Sequence, residues 1–153
     1  MSRYAVAGRS AATAATADQS GAVLWNPHST KIIEVTEIWW FKTVATADNP
    51  AVIRTSTRGT TPGSTVTPDA DNAFDRSATP QSGALLDLAA WATYPTVQGP
   101  YMHRENLPAA IGSGIVWAFP DDPIEIPPGT GLAVATPVAT ILQPGDVTFV
   151  WDE

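Results

Sequence analysis

Hydrophobic and polar positions alternate most clearly over residues 30–43 (TKIIEVTEIWWFKT), and this run predicts the central strand of the domain. Ile33, Val35, Trp39 and Phe41 fall on one face of an extended chain and Glu34, Thr36 and Lys42 on the other, with Ile32, Ile38 and Trp40 making the second face partly apolar. Glu37 interrupts the apolar row, which is the mark of a bulge, a sheet rim or a basic partner. The same period of two recurs elsewhere. Residues 4–8, 22–25, 51–58, 115–119, 124–126, 132–136 and 146–151 each read as a strand, giving about eight in all. Residues 51–58 are the expected partner of the central strand. The turn PPGTG at 127–131 predicts a hairpin joining 124–126 to 132–136.

Between these runs the pattern breaks in three places. Residues 10–18 (SAATAATAD) hold no large apolar side chain, so residues 1–20 are expected to include an N-terminal arm. Residues 59–83 are rich in Gly, Pro, Ser, Thr and Asp, with only Val66 and Phe74 as sizeable apolar groups, and predict a long loop suited to lying across another surface. Residues 84–91 (ALLDLAAW) place Leu85, Leu88 and Trp91 at helical spacing and predict the one short helix. The sum is a single all-β domain over residues 1–153, a β-sandwich of jelly-roll-like topology.

Composition narrows the function. With 153 residues the chain can bury a core without staples, and it has no cysteine for a disulfide, thiolate ligand or thiol nucleophile. Eight basic against fifteen acidic residues give a net charge of −7 with the basic ones scattered singly, which argues against nucleic acid as a partner. No apolar run is long enough to span a membrane, and the start of the chain lacks the pattern of a signal peptide.

Chemistry-bearing residues are few. His28 follows Asn26-Pro27 in a turn, where exposure to solvent is expected, and His103 lies beside Arg104 and Glu105 without a nucleophile nearby. Asp69, Asp71, Asn72 and Asp75 have the oxygen spacing of a cation loop, yet Phe74 and Pro80 stand where such a loop needs glycine and glutamate, so turn and capping roles are expected. Of the six tryptophans, Trp25, Trp39, Trp117 and Trp151 read as core, and Trp40 and Trp91 as an exposed or inter-subunit patch. No acid, base and nucleophile set emerges, and neither a metal nor a cofactor is expected.

Several stretches also carry a family likeness: RTSTRGT at 54–60, TVTPDADNAFDRS at 65–77, SGALLDLA at 82–89, GPY at 99–101, NLPAA at 106–110, IPPGTGLAVATP at 126–137 and the ending DVTFVWDE. In these the chain resembles small structural proteins of tailed bacteriophages and prophages, of the capsid decoration (cement) type. The resemblance implies a homotrimer on the virion surface, made in the host cytoplasm, that binds the phage major capsid protein and holds neighbouring capsomers together without catalysis. The candidate interface residues are then Trp40, Arg58, Asp69, Asp71, Phe74, Asp75, Arg76, Trp91 and Arg104. The alternative is a tail or fibre adhesin or carbohydrate-binding module, for which Trp40 or Trp91 should be exposed beside polar groups.

Overall fold

The computed structural model describes residues 1–75 and 82–153. Within them lie eleven strands, β1 (Arg3–Arg9), β2 (Ser20–Trp25), β3 (Ile33–Lys42), β4 (Ala51–Thr55), β5 (Ser64–Val66), β6 (Leu85–Leu88), β7 (Val97–Arg104), β8 (Gly114–Ala118), β9 (Ile124–Ile126), β10 (Gly131–Ala135) and β11 (Gly145–Asp152), with one 3₁₀ turn at Ala70–Asn72. They form two antiparallel sheets. The first runs β1-β11-β3-β8, with β9 also paired to β3, and the second runs β5-β6-β2-β10-β4-β7. The pairings β1 with β11, β2 with β10, β3 with β8 and β4 with β7 join the chain from its ends inward, so the backbone is a long antiparallel ribbon rolled into a sandwich. This is the jelly-roll arrangement, with β5, β6 and β9 added at its margins.

The core lies between the sheets. Tyr4 stacks on Trp151 with ring centroids 5.6 Å apart, and Trp40, Ile38, Phe149, Leu24, Leu86 and Leu132 fill the layer around them. β3 is central to the first sheet, as its alternation predicts, but the alternation changes phase. Glu37 pairs with Val150 and Val35 with Trp151, leaving Thr36 as an extra residue in a bulge. Before the bulge Ile33 and Val35 face inward; after it Ile38, Trp40 and Lys42 do, while Glu37, Trp39 and Phe41 turn outward. The expectation that Trp39 is core and Trp40 exposed is therefore reversed by one inserted residue.

Other expectations change for reasons of pairing. β4 belongs to the second sheet and pairs with β10 and β7, not with β3. β9 and β10 do not form a hairpin, because the turn between them carries the chain from one sheet to the other. Residues 84–91 are not helical. Leu86 and Leu88 point into the core on alternate positions of β6, and Asp87 points the other way. Residues 1–20 do not reach away from the domain: β1 pairs with β11 along its length, and Ser10 and Thr13 are buried and bonded to Gly145 and Leu142. Within the expected long loop 59–83, β5 pairs with β6, and Ala73 bridges to Tyr4 beside the 3₁₀ turn.

Candidate interaction surface

The two sheets treat their outer faces differently. On the second sheet, Val23, Ile53, Ala133 and Ala135 point away from the core but lie under Trp91, Tyr94, Val97 and Tyr101. Polar contacts pin this cover. The Tyr94 hydroxyl accepts from the Ala14 amide at 3.0 Å, and the Tyr101 hydroxyl donates to Asp18 Oδ1 at 2.5 Å. Burial and the Asp18 carboxylate together push the Tyr101 hydroxyl above its ordinary titration range. Nearby, Arg58 reaches the Asp87 carboxylate with Nε to Oδ2 at 2.6 Å and Nη2 to Oδ1 at 2.9 Å, and Thr65 Oγ1 adds a bond at 2.5 Å.

The outer face of the first sheet has no such cover among the described residues. Across it run Ala7, Thr148, Trp39 and Val116 in one row and Ala5, Val150, Glu37 and Ala118 in the next, with Phe41 beyond; Ala7, Trp39, Val116 and Ala118 are exposed, whereas Val150 is buried among its neighbours. Trp39 and Val116 are directly opposite and 39% and 42% exposed. Trp39 Nε1 donates to Glu37 Oε2 at 2.7 Å, so the one charge in the centre of the face is hydrogen-bonded to the exposed indole. The margin along β1 is closed by two paired ions, Arg3 with Asp152 at 2.8 Å and Arg9 with Asp146 at 2.7 Å. Hydrogen bonding and charge from Arg9 hold the Asp146 carboxyl below its ordinary range. With strands about 4.8 Å apart and about 3.3 Å per residue, the face covers roughly 400–450 Å². This is an apolar surface with a neutralised margin on a protein of net charge −7.

The expected interface residues do not gather into one surface. Trp40 is wholly buried in the core, and Trp91 is buried in the cover of the second sheet, so neither forms the exposed patch expected of it. Arg58 is committed to Asp87 within the same chain. Asp69 caps the 3₁₀ turn, its carboxylate accepting from the Asp71 amide at 2.8 Å while its own amide donates to Asn72 Oδ1 at 3.0 Å, the capping role the spacing suggested. Phe74 is 65% exposed beside β1, its amide bonded to the Arg3 carbonyl, and Asp71 and Asp75 are exposed on the same segment. Arg104 lies at the far edge of the second sheet, in a polar cleft of about 200 Å³ with Asn49, Glu105 and Asn106. Arg76 lies outside the described residues.

His28 is not the exposed histidine of the sequence reading. Its Nε2 is 2.6 Å from Glu153 Oε1, and Ser82 Oγ donates to Glu153 Oε2 at 2.5 Å. Burial pushes the Glu153 carboxyl up, but the bonds from Ser82 and Gly83 and the nearby His28 outweigh it and hold it below its ordinary range. Gly83 makes this possible, since a side chain there would overlap the imidazole. A larger cleft of about 420 Å³ opens where β7 leaves β4, between Arg54, Gln98, Glu125 and Thr130. The exposed Trp39–Val116 face was missed because a single-residue bulge is invisible to a period count; the misfit of Glu37 was its one signal. No known protein-family model, curated protein or solved structure matches this chain.

Proposed function

We propose that this chain is a virion structural protein of a tailed bacteriophage, of the capsid decoration type, that docks on the assembled head without catalysing a reaction. The observation that carries the reading is the outer face of the first sheet, which the described residues leave uncovered, set against a second sheet whose outer face the chain covers itself. A face of roughly 400–450 Å² is about half of what each partner contributes to a typical stable complex. It suits a contact repeated many times over a lattice, where linked sites add avidity to a weak single contact. The occupant this fits is the shell of major capsid subunits. The family resemblance points to the same partner and to association of the protein with copies of itself.

The experiment adds purified protein to phage heads that lack it and measures bound copies and the temperature at which DNA is released. The proposal requires saturable binding and a raised release temperature, both reduced by Trp39→Glu. Heads that stay bare and release DNA at an unchanged temperature would overturn it. For the tail or fibre alternative, both tryptophans named for sugar stacking are buried, and a glycan array is its direct test.

A further inference from the structure

Sheet edges are sites of unwanted pairing, and proteins normally protect them with charge, proline, bulges, short length or a covering segment. In this fold the edges of β1, β5, β7 and β9 each carry such protection. β1 bears Arg3 and Arg9, and its free side accepts bonds from the Phe74 amide at 2.8 Å and from Asn72 Nδ2 at 3.2 Å. β5 and β9 are three residues long, and Pro123 and Pro127 bracket β9. β7 is broken by Gly99-Pro100 and ends in His103 and Arg104. β8, reading GIVWA, has no charge, no proline and no bulge.

The pairing pattern fixes which backbone groups of β8 are free. The Phe119 amide bonds to Thr36 and the Ser113 carbonyl accepts from Lys42, so alternate residues Ile115 and Trp117 direct their N–H and C=O groups at β3. Gly114, Val116 and Ala118 therefore direct theirs away from the sheet, where the described residues pair no strand with them. The side chains of Val116 and Ala118 lie on the outer face, with Val116 beside Trp39.

We infer that β8 is the pairing edge for β8 of a second copy of this chain, in antiparallel register about a two-fold axis through Val116. Antiparallel pairing of identical strands is self-complementary by geometry. With Val116 facing Val116 and Gly114 facing Ala118, the free groups of both strands close on the order of six backbone hydrogen bonds. Charge permits it in spite of the −7 of each chain: continued past the strands, the register sets Asp121 and Asp122 against Ile111 and Ala110, so no like charges face each other. The joined sheets place the two Trp39–Val116 rows side by side and double the apolar face. This two-fold contact does not depend on the head-binding reading, and it is separate from the three-fold association the resemblance implies.

The test is mass by light scattering across a concentration series, together with amide hydrogen exchange, for the wild type, Val116→Lys and Val116→Pro. Val116 is exposed and its N–H points away from β3, so both substitutions leave the β3 ladder intact, and protection of Ile115 and Trp117 amides reports that the fold is retained. The expected result is a wild-type mass of about 32 kDa, twice the 16.1 kDa chain, with Gly114, Val116 and Ala118 amides protected. Val116→Lys should weaken the dimer at least about tenfold by opposing two lysines across the axis. A 16 kDa wild type with these three amides exchanging freely would overturn the inference. So would a higher mass that Val116→Lys leaves unchanged, or protection of the amides that develops only on addition of phage heads, which would assign the edge to a strand of the shell.

Discussion

Replacing Arg58 by alanine separates two roles for a residue that the sequence suggested for an interface. In the structure its guanidinium makes two parallel bonds to Asp87, whose side chain has no exposure, while the Arg58 side chain itself is 38% exposed. Arg58→Ala leaves a carboxylate sealed beneath the outer face of the second sheet with the Thr65 hydroxyl bonded to it. Stranding a buried charge in this way costs about 3–5 kcal/mol. The partial exposure of Arg58 lets water enter the space it leaves, so the lower figure of about 3 kcal/mol applies. For a domain of this size each kcal/mol moves the melting temperature by about 2–4 °C, which gives a fall of about 6–12 °C by calorimetry or circular dichroism. Asp87→Asn in the Arg58→Ala background removes the stranded charge and should recover about 1–2 kcal/mol of that loss. If Arg58→Ala melts within about 1 °C of the wild type, or if Asp87→Asn fails to rescue it, the ion pair is not the structural element described and Arg58 is free to serve an interface.

Trp39→Glu should lower the melting temperature by a few degrees, since it loses the bond to Glu37 and the packing of the part of the side chain that is not in solvent, but weaken head binding about 30-fold. That factor corresponds to about 80 Å² of indole surface at about 25 cal/mol per Å², roughly 2 kcal/mol. Because the Glu153 carboxyl is held below its ordinary value of 4.5 in the folded state, it contributes stability above that pH and loses it as the pH falls through the lowered folded value. Glu153→Gln should therefore lower stability at pH 7 and flatten the acid limb of a urea-denaturation series taken from pH 6 to 3. Lys42 is almost wholly buried and its ammonium donates to the carbonyls of Thr46 and Pro108. Lys42→Ala removes the partner of the Thr46 carbonyl, while the Pro108 carbonyl keeps the Ala110 amide and the Ser113 hydroxyl, at a cost of about 1–2 kcal/mol, with faster amide exchange at Asp48 and Leu107 as the local readout.

The fold class was legible because strands with one buried face write their period directly into the sequence, as Val147, Phe149 and Trp151 of β11 do. β7 was not, because its Gly99-Pro100 break removes the alternation, and a proline is tolerated there only because β7 is an edge. β6 was misread as a helix because its residues 85, 86 and 88 are all leucine, which fits a period of 3.6 as well as a period of two until the burial of Leu86 and Leu88 decides between them. The open face was hidden by the bulge at Thr36, which swaps the inward and outward sets of β3. The covered face was hidden because the cover comes from residues distant in sequence, Tyr94 reaching Ala14 and Tyr101 reaching Asp18. Pair partners such as Arg58 with Asp87 are contacts across the sheet, and nothing in a one-dimensional pattern joins them.

The central claim is that the uncovered face of the first sheet is the surface that meets a phage shell. Reconstruction of decorated heads by electron microscopy tests it directly, at a resolution that places the strands of the bound protein. The account predicts density on the shell with the Trp39–Val116 row turned toward the capsid subunits. Shells without density, or bound protein whose first-sheet face points to solvent, would contradict it.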